Sequence, residues 1–390
     1  MRIKKKTIGF FLIIAIGYMY IVTMASSFGI NIAAFGIATH RAQLLLMIAL
    51  IGAVCMIHGR ILIYNNILRA GAFLMLYMFV CGINQNGAWT AWISCSVMWY
   101  FIILIIYNMN FSREDIVAMA PILWGVAVVL SIIYIYGMLN THTITSVASF
   151  NSIYYVLCAL PFVFLISKIK WQIIGLFVVT ATVLISGKGT CLLALVVIWI
   201  IVAIKRLNLR KIAISKLIVR VGITIILIVA FVSVFQAQTN MQITEIIKDT
   251  WLELNGGGNG RSDIYQAAWK EFLKSDIWRQ LVGHGYNWID SALHIGTHND
   301  FLMILCNYGL IGFGLYIFFW YSLIHGIVEL KKIESEFLMA YEISIVVFLA
   351  VSMGSNVINT QIQFLLLCVL WGICSPHQFR NNVKKEVDFI

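Results

Sequence analysis

Long apolar runs recur along the whole chain, and they restrict its fold more than any other feature of the sequence. Several approach or exceed roughly 18 residues, the length at which an α-helix crosses the hydrocarbon of a bilayer. Backbone polar groups in lipid are satisfied only by helices or closed barrels, and these runs lack the alternation of a barrel strand. With 61% hydrophobic and only 11% charged residues, the composition also excludes an ordinary soluble domain. The sequence therefore predicts an all-α polytopic membrane protein.

The apolar runs predict about twelve transmembrane helices in a single domain that covers residues 1–390. The predicted spans lie at roughly 7–24, 42–58, 66–83, 88–107, 116–137, 152–167, 171–186, 189–204, 217–236, 300–325, 339–356 and 361–375. The longest polar interval, residues 237–299, forms a loop between the ninth and tenth spans. We expect the functional surface of the protein to lie on this loop.

Positive charges favour alternate loops, as expected when Lys and Arg are retained on the cytoplasmic side. Three lysines precede the first span, the most basic loop lies at 205–216, and the loop at 138–150 has no cation. This pattern predicts that both termini are cytoplasmic and that the 237–299 loop is extracytoplasmic. Topology and contact with lipid headgroups account for the net charge of +11, so no nucleic-acid partner is predicted.

Two amphipathic helices are predicted in the long loop, at 244–254 and 262–278, with Ser262 as the N-cap of the second. The glycine-rich segment 255–260 separates them. Such helices are expected to lie on the membrane surface and to cover a cavity between the spans. The alternative is a solvated cap that has no catalytic part.

Three polar residues at the edges of apolar runs are candidate site residues. Arg261 opens the second amphipathic helix, where it is either a bidentate ligand for a phosphate or a surface cation. His298 precedes the tenth span, where it is either a site residue or an interfacial residue, and Asn299 beside it is a helix cap. Lys188 lies in a short outer turn that has the wrong glycine pattern for a nucleotide-binding loop.

The sequence does not predict a metal site or a disulfide. His294 and His298 are four residues apart, a spacing that places two ligands on one face of a helix, but no third ligand is evident and Gly296 opposes a helix there. The eight cysteines show no CxxC pairing, and none of them falls in the long loop.

Short motifs follow one another in a specific order along the second half of the chain. The first is the turn 186–190, the second is Gly260-Arg261 followed by a helix with Trp269, and the last two are His298-Asn299 and the glycine pair in 309–312. The segment 283–285, which reads Gly-His-Gly, lies between the helix with Trp269 and His298-Asn299. In this order the motifs resemble those of the O-antigen polymerase and O-antigen ligase superfamily of bacterial envelope enzymes.

The resemblance implies a metal-independent glycosyltransferase of the bacterial cytoplasmic (inner) membrane that uses polyprenyl-diphosphate-linked sugar donors and no cofactor. Two outer cations and one histidine recur as functional residues in that family. They carry over to Lys188, Arg261 and His298 as candidate catalytic residues. The family more often has an arginine at the position of Lys188. A lysine there implies charge neutralisation but not the bidentate contact that a planar guanidinium makes.

The implied chemistry assigns a role to each candidate residue. Negative charge grows on the departing diphosphate, and positioned cations stabilise that charge. His298 is expected to align or deprotonate the acceptor hydroxyl, because the pKa of a histidine lies near working pH. Candidate substrate-binding residues are the motif members Asn299 and His284 and the loop aromatics Trp269 and Tyr286, which alternatively anchor the loop in the interface.

Three functions remain open at this point. The first is a polymerase that joins polyprenyl-diphosphate-linked oligosaccharide repeat units into a capsular, exopolysaccharide or O-antigen chain, acting in the bilayer beside a flippase and a chain-length regulator. The second is a ligase that transfers a finished glycan to another acceptor. The third is a polysaccharide or lipid flippase or another transporter, but the chain shows no internal repeat of the kind found in many transporters.

Overall fold

The computed structural model describes residues 5–30, 63, 65–82, 89–141, 151–206, 233, 261–358 and 363–374. In these ranges every regular element is a helix. The elements are α1 (Lys5–Ser27), α2 (Asn66–Gly82), α3 (Trp89–Asn108), α4 (Arg113–Thr141), α5 (Ile153–Ala159), which continues as a 3-10 helix (Leu160–Leu165), α6 (Ile169–Ser186), α7 (Gly189–Arg206), α8 (Arg261–Lys274), α9 (Ile277–Val282), α10 (Trp288–Leu293), α11 (Asp300–Lys332), α12 (Leu338–Gly354) and α13 (Leu365–Ile373).

The helices overlap the predicted spans wherever the two can be compared, although α13 covers only nine residues of the predicted span at 361–375. Five of them are long and apolar enough to cross a membrane by length and composition, namely those within α1, α3, α4, α6 and α11. Four shorter apolar helices lie at Asn66–Gly82, Ile153–Leu165, Gly189–Lys205 and Leu338–Gly354. The predicted span at 42–58 and, apart from residue 233, the one at 217–236 lie outside the described residues. The architecture is that of a polytopic helical membrane protein, and the number of twelve spans stays a prediction.

Large apolar side chains cover the outer faces of these helices. On α2, Phe73, Leu76 and Val80 are all exposed, and Val196 and Ile204 on α7 are exposed in the same way. Exposed apolar side chains at such density are costly in water and favourable against lipid tails. The described helices therefore have the surface that a bilayer requires.

Three ion pairs join helix ends at one side of the bundle: Lys6 with Asp115, Arg113 with Glu336, and Lys205 with Glu342. They connect the starts of α1, α4 and α12 with the end of α7. The end of α12 and the start of α7 consequently lie at the opposite side of the bundle. This is the side that carries the turn between α6 and α7 and the start of α11.

The amphipathic helix predicted at 262–278 is wrong in two respects. The helix α8 begins at Arg261, so Ser262 is not its N-cap, and it ends at Lys274. The side chain of Asp276 then accepts hydrogen bonds from the backbone N–H groups of Trp278 (2.9 Å) and Arg279 (3.0 Å) and starts α9. Because this carboxylate offers the backbone an alternative partner, it divides the helix. The predicted helix at 244–254 lies outside the described residues.

Glycines of the predicted motifs pack the loop against the long helix α11. Gly309 has a left-handed backbone (φ 66°) that kinks α11, and a Cβ built on it would lie 2.6 Å from the nitrogen of Gly283. A Cβ on Gly283 would lie 2.3 Å from the carbonyl oxygen of Asn307, which also accepts a hydrogen bond from the N–H of Gly285 (2.7 Å). Only glycines permit this approach. This contact holds residues 283–285, which precede His298 in the chain, against the first half of α11.

Candidate active site

Lys188 occupies a tight turn between α6 and α7. Gly187 caps α6 in the left-handed conformation (φ 62°), which a residue without a side chain adopts without strain. Lys188 is only 8% exposed. Its Nζ donates to the Oδ1 atom of Asn151 (2.8 Å) and lies 5.3 Å from the ring centroid of Tyr154. An amide oxygen and an aromatic face thus stabilise a cation that is largely removed from solvent.

Tyr154 connects three helices beneath Lys188. Its hydroxyl donates to the carbonyl oxygen of Gly354 (2.9 Å) at the end of α12 and lies 3.2 Å from the Oγ1 atom of Thr190 on α7. Sequence reasoning missed Tyr154 and Asn151. Tyr154 lies in an apolar run, where an aromatic residue is predicted to belong to the hydrophobic core, and Asn151 belongs to no motif. Their contacts with Lys188 make them part of its site.

Arg261 is the first residue of α8. It is half-buried and lies within electrostatic reach of Tyr154 and of His298. No hydrogen bond joins its side chain to another of the described residues. Ala268 and Phe272 anchor α8 by their burial. This packing presents the start of the helix to the Lys188 turn.

His298 lies in a strained position just before α11. Its backbone is left-handed (φ 51°), a conformation that costs a residue other than glycine on the order of 1–3 kcal/mol and is frequent at functional sites. Asn299 follows as the N-cap of α11, and its side chain accepts from the N–H of Leu302 (3.1 Å). Burial, then Arg261, then Lys188, lower the pKa of His298. The imidazole is therefore neutral over a wider pH range than that of an ordinary histidine.

The structure thus brings the three sequence-predicted catalytic residues together. Lys188 comes from the α6–α7 turn, Arg261 from the start of α8 and His298 from the segment before α11, and both cations act on the imidazole. All three lie at the side of the bundle opposite the three ion pairs. Two cations beside a neutral imidazole form a site that can bind a diphosphate and accept a proton.

The four predicted substrate-binding residues are placed differently from one another. Asn299 adjoins His298, whereas Nε2 of His284 is 2.7 Å from Ser275 Oγ and its ring stacks on Trp288 at 3.6 Å. Tyr286 is buried and its hydroxyl lies 3.6 Å from the Sγ atom of Cys95. Trp269 is 47% exposed on the outside of α8. His284 and Tyr286 thus make packing contacts inside the protein, and Asn299 is the predicted residue that adjoins His298.

His294 does not share a helix face with His298. It is exposed and ends α10 in a left-handed conformation (φ 55°). Within the described ranges, no group of three or more His, Cys, Asp or Glu side chains is placed to hold a metal ion.

The lowered pKa of His298 predicts its chemical reactivity. Diethyl pyrocarbonate modifies neutral imidazole, so modification of His298 should rise with pH and reach half its maximum below pH 6.5, the ordinary value for histidine. Replacing Arg261 with Ala removes one cause of the shift and should move the midpoint to higher pH. Mass spectrometry of peptides that contain His298 measures both midpoints. The same midpoint in the wild type and in Arg261→Ala would contradict this arrangement of Arg261 and His298.

A second prediction concerns the charge at Lys188. Lys188→Met keeps the apolar stem but removes the cation, and it should lower the rate of the glycosyl transfer that the resemblance implies about 10²–10³-fold, as loss of one charge-stabilising donor does in other sites. Lys188→Arg should be tolerated, because a guanidinium can also donate to Asn151 and stack on Tyr154. Turnover is measured with purified protein of matched amount. An inactive Lys188→Arg protein of normal abundance would show that this position does not act through charge.

The segment that carries Lys188, Arg261 and His298 matches a known protein family. Residues 174–317 match the family model described as O-antigen ligase, and no curated protein matches the chain. The matched segment includes most of α6, the Lys188 turn, α7, α8 to α10, His298 and the first half of α11, whereas Tyr154 lies outside it. The resemblance inferred from the motifs is confirmed for residues 174–317, the segment that matches the O-antigen ligase family model.

Proposed function

We propose that this protein is a polymerase that joins polyprenyl-diphosphate-linked oligosaccharide repeat units into a capsular, exopolysaccharide or O-antigen chain. The observation that carries the proposal is the meeting of Lys188, Arg261 and His298, in which both cations act on one neutral imidazole. The reaction is metal-independent glycosyl transfer on the outer face of the bacterial inner membrane. A flippase that delivers the units and a chain-length regulator are the partners that this role requires.

The proposed reaction breaks the bond between an anomeric carbon and a phosphate oxygen of the donor. A hydroxyl of the acceptor sugar forms the new glycosidic bond at that carbon, and its proton passes to the His298 imidazole. The polyprenyl diphosphate leaves with the electron pair of the broken bond. Arg261 and Lys188 stabilise the negative charge that grows on it, the role that a divalent cation has in many other transferases.

The surroundings of His298 suit a base that works beside an anion. In the absence of substrate, burial and the two cations keep the imidazole neutral. A bound diphosphate offsets the two positive charges, so the proton affinity of His298 rises once the donor is in place. The site then accepts the proton of the acceptor hydroxyl when substrate is present.

Ligation is the second candidate, favoured by the description of the matched family model as O-antigen ligase. The two activities share the donor and the bond that breaks, and they differ only in the acceptor. A polymerase extends a second copy of its own lipid-linked substrate. A ligase transfers the glycan once, to a different molecule.

Purified protein and one lipid-linked repeat unit distinguish the two activities. A polymerase yields a ladder of products that differ by one repeat unit without any other acceptor. A ligase leaves the unit unchanged until a second acceptor is supplied and then yields one product. We expect the ladder. A single product that depends on an added acceptor would favour ligation instead.

The proposal also requires a defined orientation in the membrane. Because cations accumulate in alternate loops, reporters fused at Asn255 and after the last residue should give opposite signals, extracytoplasmic and cytoplasmic respectively. Alkaline phosphatase and a fluorescent protein that folds only in the cytoplasm provide the two readouts. Cytoplasmic signals at both positions would place Arg261 on the wrong side for externally displayed donors.

A further inference from the structure

The carboxamide of Asn356 bridges the residues on either side of His298. Asn356 follows the end of α12, and its Oδ1 accepts from the Oγ1 of Thr297 (2.9 Å) and from the backbone N–H of Asn299 (3.0 Å). A Cβ built on Gly296 would lie 3.3 Å from the Nδ2 of Asn356 and 3.8 Å from the Nε2 of His298. The amide and the imidazole therefore pack against the same glycine.

Asp290 on α10 fixes the orientation of this amide. The Nδ2 of Asn356 donates to both of its carboxylate oxygens, at 3.4 and 3.2 Å. The Oδ1 of Asp290 also accepts from the backbone N–H of Thr297 (3.2 Å). Because the carboxylate accepts and the flanking residues donate, only one orientation of the Asn356 amide satisfies all partners.

His298 needs such support because its left-handed backbone (φ 51°) is unfavourable for a residue with a side chain. Hydrogen bonds to Thr297 and Asn299 hold the chain on both sides of it. Nothing in the local sequence alone imposes this conformation.

We propose that Asn356, oriented by Asp290, is a positioning residue that holds the His298 imidazole in its working place. The inference rests on the proposed function, in which His298 receives the proton of the acceptor. Asn356 lies outside the residues 174–317 that match the family model. In this account neither Asn356 nor Asp290 touches the substrate.

A reciprocal exchange of the two side chains tests the proposal. Asn356→Asp places two carboxylates face to face and removes the donor, so it should lower kcat about a hundredfold, the effect of a small misplacement of a reacting group, with little change in KM. In the double variant Asp290→Asn/Asn356→Asp, the amide at position 290 donates to the carboxylate at position 356. That carboxylate still accepts from Thr297 and Asn299, so most of the kcat should return.

The pH dependence of kcat in Asn356→Asp distinguishes a positioning role from simple loss of folded protein. As the pH falls, the facing carboxylates take up one proton and regain a hydrogen bond. The kcat of Asn356→Asp relative to that of the wild type should therefore rise as the pH falls. The ionisable groups whose pKa Asp290 raises, namely Tyr286, Cys306 and Asp300, are the same in both proteins.

The His298→Ala background separates the possible outcomes. If Asn356 acts through His298, then Asn356→Asp should slow the His298→Ala protein no further. An additive loss in that background, or a folded double variant without recovery, would overturn the positioning role. A different result would overturn this inference and leave the proposed function intact. In that result the wild type is active, His298→Ala is inactive and Asn356→Asp has normal activity. A wild type that transfers nothing would overturn both.

Discussion

Arg261→Ala is expected to abolish polymer formation while the protein still accumulates in the membrane. The guanidinium lies at the start of α8 near Tyr154 and His298, where the proposed mechanism has it bind the diphosphate of the donor. Its loss should lower the transfer rate at least about 10²–10³-fold. Arg261→Lys should recover only part of the rate, because an ammonium does not reproduce a bidentate phosphate contact.

The matched control is Lys270→Ala on the same helix. Lys270 is exposed, so its replacement changes the net charge of α8 equally without altering the site. Product ladders in membranes, normalised to protein abundance on immunoblots, compare the variants. Equal losses for Arg261→Ala and Lys270→Ala would show that the overall charge of the helix matters and that Arg261 has no specific role.

His298→Ala is expected to leave lipid-linked repeat units unpolymerised, with a loss of about 10²–10⁴-fold that corresponds to removal of a general base. The variant should still fold, because His298 is only half-buried. His294→Ala is the matched control, since that side chain is exposed. It should retain most of the activity.

Addition of EDTA to the same assays examines the role of metal. We expect the chelator to leave the rates of the wild type and of His294→Ala unchanged. A chelator-sensitive enzyme in which His294 and His298 are equally essential would replace the proposed mechanism with a metal site.

The helices could be predicted because lipid allows few alternatives. A run of apolar residues that must satisfy its own backbone becomes a helix, and α1, α3, α4 and α11 follow their predicted spans closely. The break at Asp276 was not predicted, since the apolar periodicity continues across it. A single side chain that accepts two backbone hydrogen bonds there outweighs that periodicity.

The candidate site divides in the same way between what motifs reveal and what only packing reveals. Lys188, Arg261 and His298 stand in short polar segments and could be identified from the order of the motifs. Tyr154 and Asn356 could not, because their roles depend on contacts between segments distant in sequence. Tyr286, a loop aromatic predicted to meet the substrate, is buried against Trp92 and Cys95, and its position in a polar loop does not reveal this packing.

An experimental structure of the protein with a non-transferable polyprenyl-diphosphate donor tests the central claim most directly. The account predicts that the diphosphate oxygens contact Arg261 and Lys188 and that the imidazole of His298 faces the anomeric carbon from the acceptor side. A diphosphate bound instead at the opposite end of the bundle, among Lys6, Arg113 and Lys205, would contradict it.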